Sequence, residues 1–195
     1  VIIAPLFGGT IGTVGTVLSG AEFWESWPKF VVGDALGVLV VAPVLLTWRE
    51  RDRWRTPAET ALVAMGVLLT ASLALRNWGG GWDTVTPYFL IPILTWVALR
   101  FGMRGTSWAV LATAQIANFA VASGTEPFSS TSATGYTVTL LQVYLAVLAA
   151  SKLILASVVT ELSDRDQLDN ELREQAFHDP LTGLPNRAFL LDRLE

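Results

Sequence analysis

Long uncharged apolar stretches dominate this chain and leave few ways to fold it. Six of them run approximately from Ile2 to Leu18, Phe30 to Trp48, Ala58 to Leu75, Tyr88 to Leu99, Ser107 to Ala122 and Tyr136 to Val159. A helix that crosses a bilayer needs about 20 predominantly apolar residues, within a range of about 17–25. The fourth stretch is short and contains Pro92, which predicts a buried or kinked helix. The fifth is interrupted only by the uncharged Gln115 and Asn118. A large soluble helical core is the alternative. With 52% hydrophobic and 15% charged residues, too little polar sequence remains to cover one. The expected fold class is an all-α integral membrane protein, a polytopic bundle of about six spanning helices.

Composition narrows function further. A formal net charge of −4 argues against nucleic acid as a partner. No cysteine is present, so disulfides, thiolate metal sites and cysteine nucleophiles are excluded, and a single histidine rules out a His-rich metal site. The chain starts at Val1 with no basic leader, so no signal peptide is read, and truncation at both ends is expected.

Basic residues orient the bundle. Arg49, Arg51, Arg53 and Arg55 crowd the second connection, and Arg100 and Arg104 mark the fourth. The connections at 21–28, 77–86 and 124–135 have no basic residue, and only Lys29 and Arg76 stand at their edges. Alternation of this kind follows the positive-inside rule. It predicts a cytoplasmic N-terminal end, three outer loops and a cytoplasmic C-terminal tail. Trp24, Trp27, Trp78 and Trp82 fall at the outer boundary, and Trp48, Trp54, Trp96 and Trp108 at or near the inner one. They read as an aromatic belt, or, on the outer side, as the mouth of a ligand site. Small residues four apart (Gly8 and Gly12, Gly33 and Gly37, Ala146 and Ala150) predict close helix contacts.

Polar residues inside the apolar stretches are costly and therefore informative. Asp34 lies in the second stretch, Asn118 in the fifth and Gln142 in the sixth, each about six residues from the outer end, or about 9 Å. With Trp24, Trp27 and the nearby cation Arg76, they are the candidate ligand-binding residues of an outward-facing pocket for a small-molecule or protein signal. Interhelical hydrogen bonding that merely holds the bundle together is the competing reading. Lys152 lies close enough to the inner end for its stem to snorkel toward the surface.

After Val159 the sequence turns abruptly polar without Gly or Pro, and Glu161/Arg165 and Asp169/Arg173 are acid-to-base pairs four apart. The last span is predicted to continue outward as one helix of about 40 residues. A heptad through Val158, Leu162, Arg165, Asp169, Leu172 and Ala176 is only half apolar, with Leu168 out of register. A coiled coil is weakly encoded, and a solvated linker helix is the alternative.

The end of the chain carries a specific motif. Asp179-Pro180 is a helix-start signature, Gly183 permits a turn and Asn186 can cap a second short helix. Asp179, Leu181, Thr182, Leu184, Asn186 and Arg187, at this spacing, resemble the opening of GGDEF domains, the cyclases that make cyclic di-GMP from two GTP. The resemblance implies a signal-coupling segment at the truncated start of an α/β domain. It also implies magnesium and GTP for the remainder of that domain, whose catalytic residues come later. No catalytic residue, metal site or cofactor is expected within this stretch. Similar wording precedes many GGDEF domains that are followed by an EAL phosphodiesterase domain, so synthesis and breakdown both stay open.

The apolar region carries a second resemblance. Trp24, Trp27, Val32-Gly33-Asp34-Ala35-Leu36-Gly37, Ala42-Pro43, Pro92, Trp96, Arg100-Phe101-Gly102, Gly124 and Pro127-Phe128 resemble the first type of bacterial membrane-associated sensor domain. That family typically has more spans than are counted here, so about two are expected upstream. The implied organisation is a membrane sensor over 1–158, a signalling helix over 159–176 and the beginning of a GGDEF domain over 177–195. The implied partners are the lipid bilayer, an unidentified signal and a second copy in a homodimer. A transporter or channel with a regulatory tail, and the sensor region of a histidine kinase, are the alternatives.

Overall fold

The computed structural model describes residues 3–20, 22–48, 57–76, 85–123 and 134–177. All regular structure there is helical: α1 (Ile3–Val17), α2 (Phe23–Leu46), α3 (Pro57–Ala74), a 3-10 turn (Thr86–Phe89), α4 (Leu90–Ala122) and α5 (Thr134–Phe177). Four helical stretches, Phe23–Leu46, Pro57–Ala74, Thr86–Ala122 and Val138–Asn170, are long and apolar enough to cross a membrane, and Ile3–Val17 is a shorter apolar helix. The protein is a multi-pass membrane protein. The chain divides into two compact units, Val1–Ala156 and Ser157–Glu195.

Helix α2 begins at Phe23, so most of the segment expected as the first outer connection is helical instead. Glu25 lies in its first turn, where a carboxylate meets the positive end of the helix dipole. Helix α1 packs antiparallel on α2 through glycines. A Cβ on Gly9 would lie 2.9 Å from the Val31 backbone nitrogen, and one on Gly12 would lie 2.8 Å from the Phe30 ring. Lipid supplies no hydrophobic drive between helices, so backbone approach of this kind supplies dispersion contact instead.

The sharpest departure from regular geometry is in α4. Gly102 has φ 62° and ψ −155°, a combination open essentially only to glycine. A straight helix would hold Leu94 and Thr113 about 28 Å apart. Instead both line one small cavity with Val110 and Ala114, so α4 folds back on itself. Its first arm is Leu90–Phe101 and its second arm Met103–Ala122. A Cβ on Gly105 would overlap that of Phe101, which shows how tightly the reversal closes. The connection expected around Arg100–Arg104 is thus a single non-helical residue.

The hairpin forms the centre of the first unit. Leu90, Leu94, Val97 and Phe101 of the first arm join Val67, Ala71 and Ala74 of α3 and Leu141, Leu145 and Leu148 of α5 in one buried cluster. Arg100 donates from Nε and Nη2 to Glu59 Oε1 at 3.1 and 2.8 Å, which sets α3 antiparallel to the first arm. Trp48 and Trp108, 5.8 Å apart, set α2 antiparallel to the second arm. Helix α5 runs parallel to the first arm: the Tyr144 hydroxyl donates to the Pro87 carbonyl, and two turns on Lys152 Nζ donates to Thr95 Oγ1 at 2.7 Å.

In the second unit, α5 continues to Phe177 with Leu162, Leu168 and Leu172 exposed. Arg165 pairs with Glu161 at 2.9 Å. The described part of this helix is continuous, as its lack of Gly and Pro predicts. The motif from Asp179 to Arg187 lies outside the described residues, as do Trp54, Trp78, Trp82 and the arginines from Arg49 to Arg55.

Candidate functional site

In lipid every polar group must find a partner within the protein. Threonine and serine do so cheaply. Thr13, Thr47, Thr70, Thr106 and Thr113 each donate to the carbonyl four residues earlier, at 2.6–2.8 Å. Such back-bonding closes the hydroxyl onto its own helix.

Side-chain amides have no equivalent route. Each carries a carbonyl acceptor and two N–H donors, too many groups for one local carbonyl. Gln115, Asn118 and Gln142 have no hydrogen-bond partner among the described residues. All three line a partly open cavity of about 180 Å³ between α2, the second arm of α4 and α5, with Gln115 and Asn118 exposed and Gln142 half-buried. Its α2 wall includes Gly33, Leu36 and Gly37. A Cβ on Gly33 would approach Gln142 Nε2 at 3.4 Å, and one on Gly37 would meet nothing within 4 Å. These two glycines therefore make room in the cavity, whereas Gly9 and Gly12 make helix contact.

The structure brings Asn118 and Gln142 together and adds Gln115. It does not bring Asp34 with them. Asp34 follows Gly33 on α2 and faces α1, where its carboxylate lies against Gly8. It is exposed and makes no hydrogen bond or ion pair among the described residues. The physical reason is helical geometry: one step along α2 turns a side chain by about 100°. Trp27 also turns to α1 and donates from Nε1 to Thr10 Oγ1 at 3.1 Å, while Trp24 stays exposed with its ring 6.5 Å from that of Trp27. Arg76 is exposed just beyond the end of α3. None of these four residues lines the amide cavity.

Lys152 differs from expectation. It is 8% exposed and turned into the bundle, where Nζ bonds Thr95, so its stem does not snorkel outward. The first arm lies close enough to offer a hydroxyl, and that proximity is a property of the fold.

A second cavity, of about 290 Å³, lies on the other side of the hairpin. Val63, Ala64, Val67, Phe101, Trp108 and Ala112 are among its walls, which are almost wholly apolar. Among the described residues no group of three or more His, Asp or Glu side chains is placed to hold a metal ion.

Gln115 could have been found from sequence, since it lies three residues before Asn118 and shares its helix face. The MASE1 family model matches residues 1–163. No curated protein and no solved structure matches the chain.

Proposed function

We propose that this chain, which belongs to the MASE1 family of membrane sensory domains, is the input region of a cyclic di-GMP signalling protein in the bacterial inner membrane. In this reading α1, α2, α3, the two arms of α4 and α5 make six passes, with α1 and the first arm shorter than an ordinary span and accommodated by local thinning of the bilayer. The basic connections at 49–55 and 100–104 then lie on the cytoplasmic side together with the end of α5. The observation that carries the reading is α5 itself. It contributes Gln142, Tyr144 and Lys152 to the bundle and extends as one helix to Phe177, two residues before the GGDEF-like motif at Asp179. A signal bound against α5 shifts or rotates that helix, and the segment from Ser157 to Phe177 carries the change to a cytoplasmic GGDEF domain. That domain, with its magnesium and GTP, acts as one half of a homodimer.

The test is expression of the reading frame that contains this chain, with cyclic di-GMP measured in cells. Insertion of four residues after Asp166 rotates everything beyond it by about 40° relative to the bundle, and insertion of seven by about 20° in the opposite sense. Cyclic di-GMP should change on expression, and the four-residue insertion should alter the output more than the seven-residue one. Output that is indifferent to both insertions would sink the helical relay. Alkaline phosphatase fused after Arg76 should be active and fused after Phe177 inactive; the reverse pattern would sink the orientation.

A further inference from the structure

We propose that the cavity between α2, the second arm of α4 and α5 binds a small uncharged molecule that joins an apolar body to an amide-like group. The site is unfinished without one. Gln115, Asn118 and Gln142 come from two helices, converge on one space and have no hydrogen-bond partner among the described residues. Gln115 and Asn118 are exposed and Gln142 is half-buried. Inside a bilayer no water satisfies them, and an amide left unpaired in an apolar medium costs about 1–3 kcal/mol on the scale of protein mutations, so the three together call for a partner.

The chemistry of the walls selects the class. Asn and Gln amides each donate and accept, so the complementary group must do both. Among the described residues no charged side chain lines the cavity. An anion or cation entering it would lose its hydration without gaining a counter-charge, which is far more costly than moving an amide. Leu36, Leu141 and Leu145 supply an apolar wall for the rest of the molecule. The volume of about 180 Å³ lies below the range of drug-sized sites, about 300–1,000 Å³, so the occupant is small. Gly33 and Gly37 keep the space open. Asp34 is adjacent in sequence but belongs to the α1 face, so it sets no charge preference here.

Gln142 places this ligand directly on α5, two residues before Tyr144, whose hydroxyl holds the Pro87 carbonyl. The consequence for signalling rests on the sensory reading above; the binding site itself does not. Both are separable by experiment. The full chain in lipid nanodiscs is heated with hexanamide, hexanoate or hexylammonium, which share one apolar body and differ in charge. Hexanamide should raise the unfolding midpoint by a few degrees, as a ligand bound to the folded state must. The two ions should not. Gln142→Leu and Gly37→Leu should each weaken the hexanamide response at least tenfold, by loss of an amide and by loss of space. Ala112→Leu, in the apolar cavity, should leave it intact.

An equal shift from hexanoate or hexylammonium overturns the proposal, as does an undiminished hexanamide shift in both Gln142→Leu and Gly37→Leu. Absence of any shift at saturating hexanamide also overturns it. If hexanamide binds as described while cyclic di-GMP output ignores it, the site stands and the sensory reading falls.

Discussion

The two cavities that flank the α4 hairpin share a wall and differ in what that wall leaves unsatisfied. On the α3 side, about 290 Å³ is bounded by Val63, Val67, Phe101, Trp108 and other apolar groups. On the α2–α5 side, the walls of about 180 Å³ include three amides with no hydrogen-bond partner among the described residues. Both are embedded among helices in a membrane protein, so lipid does not distinguish them. Side-chain length and valence do. A hydroxyl reaches its own helix's carbonyl, whereas an amide has donors left over. The apolar cavity can be filled by anything apolar, including lipid. The amide cavity demands a particular chemistry, and that demand makes it the better candidate for recognition.

The comparison depends first on the hairpin, and Gly102→Ala should abolish it. An alanine at φ 62° and ψ −155° is strained by about 1–3 kcal/mol, and straightening of α4 would open both cavities together. Thermal unfolding in nanodiscs should show a large loss of stability and of the hexanamide response. A variant as stable as the parent would contradict the folded-back geometry.

Next in size is Gln142→Leu. Removal of a half-buried amide that has no hydrogen-bond partner among the described residues should stabilise the empty protein by up to about 1 kcal/mol, because a polar group left unpaired in lipid is a cost. A clear destabilisation would mean that Gln142 is structural glue, and the contrast between the cavities would lose its force. Ala112→Leu should change stability by less than about 1 kcal/mol, since added carbons replace whatever apolar matter fills the larger cavity. The smallest effect belongs to Glu59→Gln. The Glu59–Arg100 pair is partly exposed, with side chains 28% and 38% accessible, so its loss should cost no more than about 0.2–1 kcal/mol. Chemical denaturation of the same preparations measures all three.

Much of the fold was legible beforehand. The apolar stretches mark the helices because period and hydropathy are local properties. The continuous polar end of α5 was readable from the lack of Gly and Pro between Val159 and Phe177. Pro92 predicts a buried or kinked fourth stretch, and Arg100 and Arg104 mark a connection after it, but only the backbone angles at Gly102 show a hairpin that turns on one residue. The candidate site was half legible. Asn118 and Gln142 were placed at matching depth, and they do meet. Depth says nothing about azimuth, however, and Asp34 at the same depth faces α1. Lys152 departs from its expected position for the same reason. Distance from a membrane surface suggested snorkelling, while the neighbouring Thr95 offers a partner inside the bundle.

Sequence by itself determined that this chain lives in a bilayer, which stretches are helical, and which side chains are too polar to be left facing lipid. These follow from composition and periodicity along one dimension. Tertiary structure alone decided which polar groups share a space. It separated Asp34 from the amides, joined Gln115 to them, and turned two glycines from contact residues into the walls of a cavity. The physical reason is that lipid rewards neither one helix pairing nor another through hydrophobicity. Packing shape therefore chooses the partners, and shape exists only once all the helices are in place.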